Sequence, residues 1–191
     1  MDLRRKMIKL TELETRALEM GFDLVQPILS RDIILDDRVR MHCQLNLCGN
    51  YGKNLMCPPF LPSLAEARRL IKSFTFAILL QLKDRVATDD KDALRTAFDA
   101  TAVKLGRMAV ALEREAFADG FRLAMALGAG ECKLCPACSI QNGIQHCISP
   151  GAARPSMEGM GIDVIRTFQN AGLPMDFKTD QLTVAGLLLI D

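Results

Sequence analysis

The chain has 191 residues, 49% of them hydrophobic and 25% charged. That is ordinary globular usage, in a chain long enough to bury a core without covalent staples. With 24 basic residues against 23 acidic ones, a net charge of +1 supplies no strong field for nucleic acid or anionic lipid, so neither is expected as a partner. The opening "MDLRRKMIKL" lacks the apolar segment of a signal peptide. No uninterrupted apolar run approaches the roughly 20 residues of a membrane span. A cytoplasmic address, where structural disulfides are rare, is therefore expected.

In chain order, "TELETRALEMG" reads as a short helix with a capping box from Thr11 and Glu14 and a stop at Gly21. "FDLVQPIL" follows with strand residues, and Pro27 suggests an edge or an irregular end. "DIILDDRVRM" reads as a further strand or a hairpin turning at Asp36–Asp37. Ser63 and Glu66 form a capping box for "LAEARRLIKSF", which leads into the buried strand "TFAILLQL".

The longest periodic segment runs from Asp90 to Asp119, with Leu94, Phe98, Thr101, Leu105, Met108 and Leu112 at helical spacing. Asp89 or Asp90 caps its start and Gly120 ends it. "FRLAMALGA" reads as a strand, "IDVIRTFQNAG" as a helix stopped by Gly172, and "LTVAGLLLI" as a buried closing strand. There is no internal repeat or clear linker. The alternation predicts a single α/β domain over 1–191, layered around a largely parallel or mixed sheet of about five strands. Ligands of such sheets gather at the carboxyl edge of the strands. The two cysteine-rich loops are expected there, with the following helices aiming N–H groups at a negative centre.

All seven cysteines lie in two stretches. Cys43, Cys48 and Cys57 stand in "CQLNLCGNYGKNLMCPPF", within the loop 43–59. Cys132, Cys135, Cys138 and Cys147 stand in "ECKLCPACSIQNGIQHCISP", over 131–150. An odd number cannot pair completely, and thiols gathered in polar Gly/Pro-rich loops are unlike scattered core cysteines. Metal binding is the reading that remains.

Structural zinc takes two cysteines from one C-x2-C turn and two ligands from elsewhere. A third cysteine at the same interval suits a cubic cluster, where each thiolate reaches a different iron. C-x2-C-x2-C is the core of the bacterial ferredoxin pattern. Cys147, eight residues beyond Cys138, is either the fourth thiolate of that cluster or a ligand of the other site. The first loop, C-x4-C-x8-C, leaves one iron of a cubic cluster without a thiolate, open to a small molecule or anion. Thiolate-rich sites are soft and favour iron–sulfur or zinc over magnesium or calcium.

The only two histidines, His42 and His146, each precede a cysteine. Adjacent residues in an extended chain point apart, so coincidence or a hydrogen bond to sulfur or backbone is the plainer role. If one ligates, it is His42. In "RPSMEGMGIDV", Ser156 and Glu158 are either a nucleophile–base pair or the start of a turn. No third group orients such a pair. Arg154 either faces an anionic ligand or is solvated. Tyr51, the single tyrosine, either donates to a ligand or packs over the metal site. There is no Gly-rich phosphate loop and no aromatic stacking platform.

Two motifs, C-x4-C-x2-Y-G-x4-C-P-P from Cys43 to Pro59 and C-x2-C-x2-C-x8-C followed by "RPSMEGMGIDV", resemble an uncharacterised bacterial and archaeal family of predicted metal-binding proteins. The resemblance implies a cysteine-ligated metal on the seven cysteines, in a family without an established reaction. Two functions are carried forward. One is a cytosolic iron–sulfur protein with one or two [4Fe-4S] clusters, acting in electron transfer or as a cluster-dependent redox enzyme or accessory protein. Its partner would be a redox protein, or a small molecule at an open iron. The other is a zinc-stabilised structural or partner-binding module.

Overall fold

The computed structural model describes residues 2–86, 88–173, 175 and 180–191. Helix α1 covers Leu3–Glu19. Its start is fixed by Asp2, whose side chain accepts the Arg5 N–H at 2.9 Å. Thr11 therefore lies mid-helix and donates its hydroxyl to the Met7 carbonyl instead of capping. Strand β1, Leu24–Leu29, follows the positive-φ stop at Gly21.

"DIILDDRVRM" is neither strand nor hairpin. It forms a 3-10 turn at Ser30–Asp32 and helix α2 over Asp37–Gln44. Asp36 accepts the Arg38 N–H at 2.9 Å and so opens a helix where the hydrophobic pattern suggested extension. What remains of extended pairing is an isolated bridge from Leu35 to Ile162.

Helix α3 (Leu64–Ser73) leads into β2 (Phe76–Arg85), and α4 (Lys91–Ala118) into β3 (Ala124–Leu127). Helix α5 (Val164–Asn170) precedes β4 (Gln181–Ile190). As read from the sequence, Asp90 caps α4. Gly120 and Gly172 follow α4 and α5 with positive φ.

The sheet has four strands in the order β1-β2-β4-β3, and every neighbouring pair is antiparallel. This corrects the expectation of a parallel or mixed sheet of about five strands. β2 and β3, joined through α4, run the same way but do not pair with each other. β4 then enters between them, pairing Ile190 with both Phe76 and Ala124. Pro27 sits on edge strand β1, where its missing N–H interrupts no ladder.

Both faces of β2 are covered, which is why its sequence is continuously apolar. Phe76, Ile78, Leu80 and Leu82 pack on α1 and α4 through Leu10, Leu13, Leu105 and Leu112. Ala77 and Leu79 face the opposite layer, with Ile71 of α3, Met157, Ile162 and Phe168 of α5. A continuous apolar run reports burial on two faces and says nothing of strand direction. Among the described residues no helix is long and apolar enough to cross a membrane.

Gly186 of β4 lets α4 approach the sheet. A Cβ there would stand 2.6 Å from Leu105 Cδ2 and 3.1 Å from the Leu127 carbonyl oxygen. Leu105 is fully buried and has no room to retreat. Gly186→Ala is expected to cost about 1–3 kcal/mol by overpacking, seen as a lower urea midpoint at unchanged m-value.

Candidate metal centre

Only the second cysteine loop leaves a strand, β3. The first leaves α2, whose last turn carries Cys43. The helices that follow do not aim bare N–H groups at the thiols. Helix α3 opens with the capping box read from the sequence, in which Ser63 Oγ accepts from Glu66 N–H and Glu66 Oε2 accepts from Ser63 N–H at 2.9 Å. Asp163 accepts the Arg166 N–H at the start of α5 at 3.0 Å.

The two loops nevertheless meet. The buried Asn54 donates through Nδ2 to the Cys132 carbonyl at 2.8 Å, while its Oδ1 accepts the Met56 N–H at 3.0 Å. Gln141 Nε2 donates to the Lys53 carbonyl at 3.1 Å. The Leu55 N–H, from the first loop, points at Cys138 Sγ of the second at 3.4 Å. Contacts from 53–55 to the 132–141 segment thus hold together two turns that are far apart in sequence.

All seven cysteines are free thiols, and they sort into two groups. Cys132, Cys135, Cys138 and Cys147 line one pocket, with Asn54, Leu55 and Met56 as its wall. Cys43, Cys48 and Cys57 line a second cleft beside Tyr51, Glu131 and Glu158. The Ser149 N–H reaches Cys147 Sγ at 3.3 Å. With the bond from Leu55, two backbone donors face sulfurs of the four-cysteine pocket, the arrangement that stabilises thiolate charge at cysteine-ligated iron. The sulfurs stand around the pockets. Among the described residues, no three His, Cys, Asp or Glu side chains converge as the ligands of one bare ion do.

Residues 26–190 match a family described as predicted metal-binding proteins (DUF2284). The chain belongs to this family. Both cysteine stretches lie inside the matched region. Neither a curated protein nor a solved structure matches the chain.

In this member of a predicted metal-binding family the electrostatics repeat the division into four and three. Burial pushes the Cys132 thiol up, opposed by the Leu134 N–H and reinforced by Cys147, Cys135 and Cys138. Burial pushes Cys57 up to about 12, with Cys48, Glu131, Cys43 and Cys132 adding to it. Cys43 is raised by burial, then eased by Arg40 and raised further by Cys48 and Glu158. Cys57 and Cys132 are thus electrostatic neighbours across the two groups. Binding of a metal ion to such thiols would release their protons.

The histidines stand apart. His42 and His146 are both exposed, and neither lines the two thiol pockets among the described residues. Among the described residues only the backbone of His146 takes part locally, accepting from Ser139 Oγ at 2.6 Å. Ser156 is a buried turn-former whose Oγ accepts the Gly159 N–H at 2.9 Å, ahead of the 3-10 turn Glu158–Met160. Arg154 is neither solvated nor turned to a ligand. It forms a two-pronged pair with the buried Glu113 of α4, with Nε to Oε2 at 2.8 Å.

Sequence reasoning missed Glu113, which also accepts the Ala126 N–H of β3 at 2.7 Å. The signal was present: position 113 lies on the buried face of α4 with Ala109, Leu112 and Ala116, where a carboxylate requires a partner. Glu131 was also missed. Burial pushes its carboxyl up, but Lys133 and Arg95 outweigh that and hold it below the usual carboxylate range. Arg95 reaches it from α4 at 2.6 Å, which fastens the start of the second loop to that helix.

Proposed function

We propose that the protein is an iron–sulfur protein of the cytoplasm. Cys132, Cys135, Cys138 and Cys147 hold a [4Fe-4S] cluster, and Cys43, Cys48 and Cys57 hold a second centre beside it. The observation that carries this reading is the sorting of seven free thiols into adjacent groups of four and three. A multi-iron cluster is held by thiolates standing further apart than those round a single ion, which suits sulfurs spaced around a pocket. Such clusters, when bound, supply one-electron transfer and, at an iron lacking a thiolate, a Lewis-acid position.

The chain's own residues do the rest. Leu55 and Ser149 donate N–H groups to sulfur, which favours the charged thiolates and tunes their potential. Asn54 fixes the first loop on the second. Cys57 and Cys132 bring the two groups into electrostatic contact. A fully thiolate-bound centre next to an incompletely bound one suits a relay that feeds electrons to a redox partner or to a small molecule at the second centre. Electron transfer, a cluster-dependent redox enzyme, or an accessory to one are the roles this arrangement serves.

Anaerobic purification tests the reading. The expected product is a brown protein with broad visible absorbance that bleaches with dithionite and contains iron and acid-labile sulfide. A colourless protein with stoichiometric zinc and no sulfide overturns it in favour of a zinc-stabilised module.

A further inference from the structure

The net charge of +1 conceals an uneven distribution. Residues 38–65 and 132–157, the two segments that carry all seven cysteines, contain no aspartate or glutamate, so all 23 acidic residues lie elsewhere. The second loop is also apolar where it meets solvent. Ile148 is 62% exposed and Ile144 40%, and Ile148 lines the pocket of Cys132, Cys135, Cys138 and Cys147. Pro136 and Ala137 lie exposed between Cys135 and Cys138. Single apolar residues on a surface are ordinary, but a group of them at the mouth of a site marks a contact surface.

Two cations stand beside this patch. Lys53 is exposed, and its carbonyl is held by Gln141, three residues before Ile144. Arg107 of α4 is exposed too, and lines a pocket whose wall of Cys132 and Leu134 is shared with the four-cysteine pocket. Neither takes part in an ion pair among the described residues. The neighbouring Lys133 and Arg154, by contrast, are neutralised by Glu131 and Glu113.

A cluster held by four thiolates has no vacant iron position, so it exchanges electrons only with a partner that comes close. Resting on the iron–sulfur reading above, we propose that the surface of Ile144, Ile148, Lys53 and Arg107 is the docking site of an acidic one-electron carrier protein. The apolar pair makes the contact, and the two unpaired cations attract and orient carboxylates on the carrier. A small apolar centre with charge at its rim suits a partner that must also leave. One electron passes from the reduced cluster to the oxidised carrier, the cluster returns to its oxidised form, and no group moves between the proteins.

The test uses the full-length, cluster-loaded chain, reduced with dithionite and freed of excess reductant under anaerobic conditions. It is mixed in a stopped-flow instrument with oxidised flavodoxin, an acidic flavin protein, and semiquinone formation is followed. The flavin takes one electron from the cluster and one proton from solvent. The second-order rate is expected to fall as ionic strength rises, and to rise with ionic strength when cationic cytochrome c is the acceptor. At low ionic strength the double variant, Lys53→Glu with Arg107→Glu, is expected to pass electrons to flavodoxin about 10-fold more slowly or worse, and Ile144→Glu is expected to be slowed as well. Lys72→Glu is expected to stay within about 2-fold of the wild type. Lys72 lies in the last turn of α3, which leads into β2. The start of β2 is level with the start of β3, whereas the second loop leaves the other end of β3. Iron content and the visible spectrum confirm that each variant carries its cluster.

Wild-type rates in the cluster-loaded double variant and in Ile144→Glu overturn the docking surface alone. So does an equal loss in Lys72→Glu, or a cluster-loaded wild type that passes no electron to flavodoxin. A wild type without a cluster on the second loop overturns the iron–sulfur reading on which the surface rests.

Discussion

Cys147→Ala is expected to abolish the second-loop centre and leave the first-loop centre assembled, so that iron and sulfide per chain fall by about half. Cys147 closes the pocket formed with Cys132, Cys135 and Cys138. Its sulfur receives the Ser149 N–H at 3.3 Å. Removing it opens one corner of that pocket and touches none of the three sulfurs in the neighbouring cleft. Cys48→Ala is the mirror experiment, expected to spare the second-loop centre. Metal and sulfide analysis on both variants, prepared side by side under anaerobic conditions, reads the result. Loss of all metal from either single change would mean that both loops grip one shared centre.

Arg154→Ala is expected to destabilise the fold by about 3 kcal/mol, at the lower end of what breaking a buried ion pair costs. Glu113 and Arg154 are both largely buried, with side-chain exposures of 7% and 18%. Truncating the arginine leaves a carboxylate in the core with only the Ala126 N–H to face. The pair joins α4, β3 and the segment that follows Cys147. Loss of metal retention at the second loop is therefore expected alongside the loss of stability. Arg154→Lys is expected to rescue only in part, because an ammonium cannot reproduce the two-pronged geometry. Urea unfolding at constant m-value measures the effect. A change below about 0.5 kcal/mol would class the pair with exposed ion pairs that contribute little.

Features encoded locally were legible in the sequence. The Ser63–Glu66 capping box, the Asp90 cap, the edge position of Pro27 and the helical periodicity of 94–112 each depend on neighbours within one or two turns. The cysteines were legible for a different reason: seven thiols gathered into two polar loops have few physical explanations.

What the sequence hid was non-local. The insertion of β4 between β2 and β3 turns on pairings such as Leu79 with Leu187, more than 100 residues apart. No hydrophobic pattern in β2 distinguishes a parallel neighbour from an antiparallel one. Helix α2 was hidden because its apolar residues are few and none is buried, and its start depends on the side chain of Asp36. The Thr11–Glu14 motif misled because a stronger cap at Asp2 had already begun the helix. Glu158 was legible only as half of a candidate pair with Ser156 or as part of a turn. That it lines the cleft of Cys43, Cys48 and Cys57 depends on α2 and the turn Glu158–Met160, which only the fold brings together.

The central claim is that two metal centres stand side by side, one on four thiolates and one on three. Anomalous diffraction from anaerobically grown crystals, recorded at both the iron and zinc absorption edges, tests it most directly. The account predicts two iron peaks, one within bonding distance of Cys132, Cys135, Cys138 and Cys147, the other of Cys43, Cys48 and Cys57. A single peak shared by both loops, or peaks at the zinc edge alone, would contradict it.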